Sequence, residues 1–348
     1  MGSYLVTGAT GFVGAALTRR LLQDGHSVRM VVRSPSPALP EHERATRHVL
    51  SLGDPNALAE AAQGVDVLYH CAAESSARAV PAAFGWINVA ATENVLNAAR
   101  HAGVRRVVHL SCTDATLVNR DRMNWKETHP LGEQPLDALC RSKLLAEELA
   151  LHASGSRLQV CVLRPAWVWG PGDRRVLPDL CREAQRGRVS LCGNGENLVH
   201  SVYIDNLVHA LLLAAAAPAA AGKAFHILDG EVQTARELLS GLCQALKLPA
   251  PVRGVYALSY ARALLNERLG LPGLSRVDVV RRGRGSLFDG MAAARELEYV
   301  PRVGFAEGLA ALEQWAAALG GPQSIAQLAR GPATWNDVQV LMQLADAA

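Results

Sequence analysis

Three glycines near the start of the chain have the spacing of a phosphate-binding turn. Gly8, Gly11 and Gly14 form the pattern G-x-x-G-x-x-G. In such a turn the first glycine permits a tight bend, the second lets the backbone approach a pyrophosphate, and the third lets a helix pack closely on a strand. The free N–H groups at the start of that helix would bind the anion. The spacing therefore predicts a dinucleotide site, and its expected contacts are Gly8, Thr10, Gly11, Phe12 and Val13.

The sequence on either side of these glycines supplies the elements that the turn requires. Residues 4–6 are predicted to form a buried strand and residues 15–22 a helix. Further strands are predicted at residues 27–32, 49–52, 65–71, 104–111 and 159–163, with a long helix within 81–100. Strands that alternate with helices are typical of a parallel, doubly wound sheet. We therefore expect an α/β Rossmann domain over 1–165 to which some later segments return, a smaller C-terminal α/β substrate-binding region over 166–318, and a helical extension over 319–348.

The residues after the second and later strands indicate how a dinucleotide would lie. NAD enzymes usually carry an acidic residue at the end of the second strand, which bonds the adenosine ribose, but this chain has Val32 at that place and Arg33 next to it. Since an arginine can pair with a 2′-phosphate, we expect NADP(H) to be preferred over NAD(H), the alternative being a solvated surface arginine. Asp54 is placed either to meet the adenine edge or to cap the next helix. Ala72 and Ala73 follow a strand and are small enough to let a cofactor lie close to the backbone.

Composition argues against several other classes of protein. A formal net charge of +3 over 348 residues is too small to indicate nucleic-acid binding. The seven cysteines include no C-x-x-C pair, which favours reduced core residues of a cytoplasmic protein over disulfides or a metal site. No leader is expected, because the first strand begins almost at Met1. The longest apolar run, residues 210–221, is shorter than the roughly 20 residues that span a bilayer.

Motifs along most of the chain, from about residue 2 to 318, resemble those of the extended short-chain dehydrogenases/reductases. The closest branch is that of the 3β-hydroxysteroid dehydrogenases and dihydroflavonol reductases. The matching stretches, in the order of that family, are TGATGFVG at 7–14, HCAA at 70–73, NVAATENV at 88–95, RSK at 141–143 with AE at 146–147, RPAWVWGPG at 164–172, VYIDN at 202–206, EYVP at 298–301 and EG at 307–308. The resemblance implies a nicotinamide cofactor and places Pro165 near the nicotinamide.

The same resemblance implies a catalytic Ser or Thr, a Tyr and a Lys. In the family, Tyr-x-x-x-Lys places two side chains on one helix face; the lysine binds the nicotinamide ribose and lowers the pKa of the tyrosine, which exchanges a proton with the substrate oxygen. Lys143 and Thr113 match the lysine and hydroxyl positions, but the tyrosine position holds Leu139. A leucine cannot donate a proton, so the ordinary alcohol/ketone mechanism is in doubt. The other candidate donors are Thr113, Asp114, His129, Asp137, Cys140, a water molecule and the substrate itself.

Three functions are compatible with this combination of motifs. We expect an NAD(P)H-dependent oxidoreductase that transfers hydride to or from a hydrophobic carbonyl compound of secondary or lipid metabolism. A conjugated or polycyclic substrate would need the tyrosine least, because it can delocalise charge. The alternatives are a non-catalytic cofactor-binding sensor or scaffold, and an epimerase or isomerase of the same scaffold.

The segments expected around the substrate, residues 174–200 and 250–290, are less informative. Residues 255–269 are predicted to form an amphipathic helix that packs on its own domain or, alternatively, makes a peripheral membrane contact. A cluster of four arginines is expected in a solvated charged loop, the alternative being contact with an acidic headgroup or a nucleotide-linked substrate: Arg276, Arg281, Arg282 and Arg284. Two short helices are predicted at 325–330 and 337–347. Many relatives pair through helices equivalent to 82–100 and 139–152, so the resemblance implies a homodimer.

Overall fold

The structure is a computed structural model that describes residues 2–34, 40–76, 79–130 and 135–328. Its strands are β1 (Ser3–Thr7), β2 (Ser27–Val32), β3 (Ala45–Val49), β4 (Val67–His70), β5 (Arg106–Leu110), β6 (Arg122–Trp125), β7 (Gln159–Pro165), β8 (Trp167–Trp169), β9 (Leu198–Val199), β10 (Ser201–Tyr203), β11 (Ala224–Ile227), β12 (Gln233–Thr234) and β13 (Ser286–Phe288).

Helices connect and cover these strands. They are α1 (Phe12–Gln23), α2 (Pro55–Ala62), α3 (Pro81–Phe84), α4 (Ala91–His101), α5 (Ala138–His152), α6 (Val176–Gln185), α7 (Ile204–Ala216), α8 (Ala235–Ala245), α9 (Tyr256–Leu269), α10 (Arg276–Gly283), α11 (Met291–Glu296), α12 (Phe305–Ala318) and α13 (Pro322–Gln327). A π-helical segment, Gly85–Ala90, joins α3 to α4, so the long helix predicted within 81–100 is interrupted in the middle.

Seven parallel strands form the main sheet in the order β11-β7-β5-β4-β1-β2-β3. The chain runs outward in one direction from β1 to β3 and then returns to β4 on the other side of β1. This reversal creates a crevice at the carboxyl ends of β1 and β4, which is where open α/β sheets bind ligands. The predicted doubly wound α/β class is therefore confirmed, and β11 is a late segment that joins the main sheet.

Both faces of the main sheet are buried. Val6, Val108 and Leu163 pack into one apolar cluster together with α1 and α7. Leu5 and Val107, their neighbours in the strands, pack into a second cluster with α2 and α4. Alternate side chains therefore point into two separate cores, which explains why the strands are almost continuously apolar.

The prediction for the third strand is wrong. The sheet uses Ala45–Val49, paired with β2 on one side only, whereas residues 50–54 form a loop. This edge strand is half-exposed and carries Thr46, Arg47 and His48. The sequence prediction selected the more apolar stretch that follows, but an edge strand needs few apolar residues because it packs against one neighbour.

The strands outside the main sheet form two smaller sheets. They are a two-stranded sheet, β10-β8, and a four-stranded sheet, β12-β9-β13-β6. The predicted helix over 255–269 corresponds to α9, while the prediction for 337–347 lies outside the described residues. None of the helices in the described ranges is long and apolar enough to cross a membrane.

Candidate active site

The predicted glycine turn lies between β1 and α1, and two of its glycines are required by close packing. Gly8 has φ +69°, and a Cβ there would lie 2.7 Å from the Cα of Ala72, after β4. A Cβ on Gly14 would lie 2.3 Å from the carbonyl oxygen of Gly8. Both positions therefore exclude any side chain, in agreement with the roles expected for a tight turn and a close helix–strand contact.

The middle glycine has a different environment, and it fits the expected anion site. A Cβ on Gly11 would approach one described atom, the Gly8 carbonyl oxygen at 3.1 Å, so the position is otherwise open. Gly11 is the N-cap of α1, and no side chain caps this helix. The first N–H groups of an α-helix have no partner within the helix, so those of Phe12 and Val13 are available to a pyrophosphate. The space that a Cβ on Gly11 would fill is therefore free for the pyrophosphate of a dinucleotide.

The other residues expected at the cofactor lie around the same crevice. Arg33 follows β2 directly and is exposed. The backbone N–H of Ala72 donates to Thr7 Oγ1 at 3.3 Å, which holds the end of β4 against β1. Ala73 comes next and is exposed, whereas Pro165 is buried at the end of β7.

In the structure Asp54 caps a helix, which is one of the two roles expected for it. Its Oδ1 accepts the N–H groups of Asn56 and Ala57 at 3.1 and 3.0 Å, so the side chain caps α2. Contact with an adenine edge stays a prediction.

A buried histidine at the end of β4 holds together the elements that form the crevice. His70 Nδ1 lies 2.7 Å from Thr7 Oγ1, and its Nε2 lies 2.9 Å from Thr92 Oγ1. Burial, together with the charge of Lys143, lowers the pKa of His70 to about 3. The imidazole is therefore neutral, and its two hydrogen bonds tie β1, β4 and α4 together.

Lys143 projects from α5 toward the carboxyl ends of β4 and β5. It is 8% exposed and forms no hydrogen bond with any residue in the described ranges. Its charge acts on Cys71, after β4, and on Cys112, after β5, although burial dominates and raises the pKa of both thiols. Thr113 follows Cys112 and is buried, with its carbonyl accepting from Arg122 at 2.8 Å. Lys143 and Thr113 therefore border the same region of the crevice.

Leu139 lies one turn before Lys143, where the resemblance requires a tyrosine. Its side chain is 4% exposed and packs with Ala79, Ala83 and Phe84. The position is thus filled by an apolar contact, and a hydroxyl group is missing from the site.

Three of the proposed proton donors have structural partners. Asp137 Oδ1 caps α5 by accepting the N–H of Cys140 at 2.8 Å. His129 Nδ1 accepts the N–H of Lys126 at 2.9 Å, and its ring stacks on Trp125. The thiol of Cys140 is buried in an apolar cluster with Leu117, Val277 and Val280, and burial raises its pKa well above the ordinary value.

Asp114 is paired with a cation from a distant part of the chain. Its carboxylate forms an ion pair with Arg281 of α10. Burial alone would raise the pKa of Asp114, but the charge and hydrogen bond of Arg281 outweigh it, and the pKa falls below the ordinary value. Asp114 is therefore ionised near neutral pH and has no proton to donate. The Thr113 hydroxyl has no hydrogen-bond partner in the described ranges, so Thr113, water and the substrate stay candidates for the proton donor.

The prediction of a solvated arginine loop is wrong. Residues 276–283 form α10, which begins with a capping box between Ser275 and Asp278. Arg281 and Arg282 are paired with Asp114 and Glu183, respectively. The partners are more than 90 residues away in sequence, so the charges of residues close in sequence could not identify them.

Sequence reasoning noted Asn88 on the long helix but gave it no role. The side chain is 2% exposed, and its Nδ2 donates to Ser142 Oγ at 2.9 Å and to the Glu74 carbonyl at 3.0 Å. Its Oδ1 accepts the N–H of Glu74 at 2.7 Å. Asn88 therefore holds the loop after β4 against α5, next to Lys143. The sequence signal for this role was a polar residue, Asn88, within a predicted helix.

A buried ion pair, also unassigned from sequence, fixes the far side of α5. Arg164 Nε donates to Glu147 Oε1 at 2.8 Å, and Ser111 Oγ donates to Glu147 Oε2 at 2.7 Å. Glu147 is fully buried. These contacts join α5 to the ends of β5 and β7, and so they position Lys143 relative to Thr113.

Comparison with known proteins agrees with this fold. Residues 4–227 match the NAD dependent epimerase/dehydratase family. The chain is 34% identical to 2-alkyl-3-oxoalkanoate reductase of Stenotrophomonas maltophilia, covering 90% of this chain and 99% of that one. It is also 34% identical to a 4-hydroxy-2-methyl-3-oxo-4-farnesyl-3,4-dihydroquinoline-1-oxide ketoreductase of Stigmatella aurantiaca, covering 89% and 95%.

Among solved structures, the chain is similar to a dTDP-glucose 4,6-dehydratase of Streptomyces venezuelae with NAD bound. The TM-score is 0.73 at 28% identity, over 91% of this chain and 97% of that one. The chain therefore belongs to the NAD-dependent epimerase/dehydratase family. This assignment confirms the class predicted from the sequence motifs, a nicotinamide-dependent enzyme of the extended short-chain dehydrogenase/reductase type.

Proposed function

We propose that the protein is an NAD(P)H-dependent reductase of hydrophobic carbonyl compounds that works without a catalytic tyrosine. The observation that carries the proposal is the combination of an open glycine turn with a buried Lys143, whose ammonium group has no hydrogen-bond partner among the described residues and lies on the element packed against the segment of Thr113. The two relatives named above, both reductases by name, support the reaction class. The quinoline-derived ketone in the second name supports a conjugated or polycyclic substrate from secondary metabolism.

Each residue of the site would have its own role in such a reaction. A bound nicotinamide dinucleotide supplies hydride. Gly8, Gly11 and the start of α1 would hold its pyrophosphate, and Lys143 would bind its nicotinamide ribose. Thr113 would hold the substrate oxygen, while the charge of Lys143 stabilises negative charge that develops there. Because Leu139 offers no proton, water or the substrate's own acidic group completes the reaction.

The preference for NADP(H) is part of the proposal. Arg33 supports it, since this exposed cation directly follows β2, where the 2′-substituent of the adenosine ribose is expected. A cytoplasmic location is supported by the cysteines, all seven of which are free thiols. A homodimer is supported by the family resemblance of the helices that include α4 and α5.

The second candidate is a cofactor-binding sensor or scaffold without turnover, and the apolar packing of Leu139 favours it. Turnover distinguishes the two. Purified protein with NADPH should oxidise the cofactor when supplied with a panel of conjugated hydrophobic ketones, and Lys143→Met should abolish the reaction. Tight NADPH binding with no oxidation by any member of the panel would favour the sensor.

A further inference from the structure

One side of α9 is apolar and exposed to solvent. It is formed by Leu258, Ala261, Leu265 and Leu269, which are separated by three, four and four positions and are called the leucine face below. Residues with this spacing lie on one side of a helix. The three leucines are 70, 52 and 61% exposed. Contiguous apolar groups on a surface mark a place of interaction, because single exposed apolar residues are common and clusters of them are not.

The opposite side of α9 already holds the helix to its own domain. Ala263 is buried in a cluster with Cys192 and Val279, and the rings of Tyr256 and Tyr260 pack against this cluster. The helix is therefore apolar on two sides, of which one faces the protein. The leucine face is additional to these contacts, so the packing of α9 does not account for it.

Positive charges border the leucine face. With about 3.6 residues per turn, Arg262 and Arg268 fall on its two edges. Both are exposed, and neither forms an ion pair within the described ranges. Glu267 is the only acidic residue of α9, and its two carboxylate oxygens accept from Arg276, from the backbone N–H at 2.7 Å and from Nε at 2.6 Å. The exposed side of α9 thus combines apolar groups with positive charge that no neighbouring carboxylate balances.

The buried side of α9, together with α10, is attached to the candidate active site. Tyr260 packs in one cluster with Leu117 and Cys140. Arg281 of α10 is paired with Asp114. These partners belong to the segment after β5 and to the first turn of α5, which are the elements that carry the candidate catalytic residues. A surface that binds the leucine face would therefore lie on the outer side of a unit that packs on the site.

We propose that α9 binds the surface of an anionic lipid bilayer. Leu258, Leu265 and Leu269 enter the boundary between headgroups and acyl chains, while Arg262 and Arg268 bind the phosphates. An interfacial helix requires apolar side chains with basic residues beside them, and each basic residue gains attraction to a negatively charged leaflet. A groove on a protein would also accept the leucines, but unbalanced cations on both edges favour an extended negative surface.

This binding goes beyond the proposed reductase function and does not depend on it. It does suit a hydrophobic substrate, because such a compound partitions into lipid rather than water. An enzyme held at the bilayer by α9 would meet the substrate where its concentration is highest.

The test is flotation of the full-length protein with lipid vesicles over a series of lipid concentrations. Vesicles of phosphatidylcholine with about 30% phosphatidylglycerol are compared with vesicles of phosphatidylcholine alone, at low salt and at about 0.5 M NaCl. The partition coefficient of the wild type should be about tenfold higher for the anionic vesicles, and it should fall at high salt. Leu258→Gln and Leu265→Gln, combined in one variant, should lower it about tenfold.

Two further variants separate the contributions of charge and of apolar exposure. Arg262→Gln combined with Arg268→Gln should reduce binding of the anionic vesicles to the level of the neutral ones. Met291→Gln combined with Val300→Gln is the matched control, since these side chains are 58 and 67% exposed outside α9. This control should bind vesicles as the wild type does.

Several outcomes would overturn the proposal. They are a wild type that does not float with anionic vesicles, a leucine variant that floats as well as the wild type, and a control variant that loses binding to the same extent. A leucine variant that changes the oligomeric state would identify the leucine face as a contact between proteins instead. Vesicle binding is measured without cofactor, so a wild type that binds neither NADPH nor NADH would refute the reductase function, whereas flotation still decides the role of α9.

Discussion

At the residue scale, Lys143 matches the lysine of the family motif, and Leu139 stands where that motif has its tyrosine. Leu139 is buried among apolar side chains, and Lys143 is buried one turn later without a hydrogen bond in the described chain. A desolvated cation of this kind stabilises nearby negative charge more strongly than one in water. In the proposed reaction the site would therefore bind the cofactor and stabilise charge, and it would lack an efficient proton donor.

Restoring the hydroxyl should restore ordinary ketone chemistry. We expect Leu139→Tyr to raise turnover of simple hydrophobic ketones at least tenfold, because the phenol would again lie one turn from Lys143. Leu139→Phe is the matched control, since it adds the ring without the hydroxyl. An equal gain in both variants, or high wild-type activity on simple ketones, would show that the missing hydroxyl does not limit the reaction.

Arg33 allows a second test at this scale. We expect Arg33→Ala to weaken NADPH binding about tenfold, or ~1.4 kcal/mol, because the variant loses the cation that faces the 2′-phosphate. NADH serves as the internal control and should bind with little change. Titrations with both cofactors measure the effect. An equal loss of affinity for NADPH and NADH would show that Arg33 does not contact the 2′-phosphate.

At the scale of elements, the loop before α6 links stability to pH through Asp173. Burial raises the pKa of this carboxyl to about 6 from 3.8, against the opposing effect of three backbone N–H groups. A raised pKa means that the folded state favours the protonated form. The stabilising effect is therefore complete below about pH 4 and is lost as the pH rises through 6.

Asp173→Asn removes this titration while keeping an acceptor for the helix. Relative to the variant, the wild type should lose about 2–3 kcal/mol of unfolding free energy between pH 4 and pH 7. Urea unfolding of both proteins at the two pH values measures the difference. A difference that does not change with pH would mean that Asp173 titrates normally in the folded state.

Elements with apolar periodicity were predictable, and those fixed by distant partners were not. β2 was predicted with its observed bounds, because its buried residues and flanking turn are local signals. α10 was predicted as a loop, since the carboxylates that neutralise Arg281 and Arg282 come from other elements. The glycine turn and Lys143 follow from motifs, whereas the role of Asn88 depends on its contact with Ser142, 54 residues away.

At the scale of the whole molecule, the proposed homodimer would use α5. Leu145 is 40% exposed on this helix, on the opposite side from the buried residues around Lys143. In the proposed homodimer, α5 packs with the helix that includes α4. An interface of that kind buries apolar side chains that would otherwise contact water.

A charge at this position should therefore separate the subunits. We expect a mass near twice 37.1 kDa for the wild type and near 37.1 kDa for Leu145→Arg, as measured by light scattering at micromolar concentration. Leu258→Arg, at a 70% exposed site on α9, is the matched control and should stay dimeric. A monomeric wild type would contradict the homodimer.

The turn between β1 and α1 is expected to hold the nicotinamide dinucleotide. A fluorescence titration of the purified protein and of Gly11→Val with NADPH and NADH tests this directly. The wild type should bind NADPH saturably, one molecule per chain and more tightly than NADH. Gly11→Val should stay folded and bind neither, because its side chain would occupy the space open to the pyrophosphate. Wild-type protein that binds neither cofactor, or a folded Gly11→Val that binds NADPH normally, would show that this turn does not hold the dinucleotide.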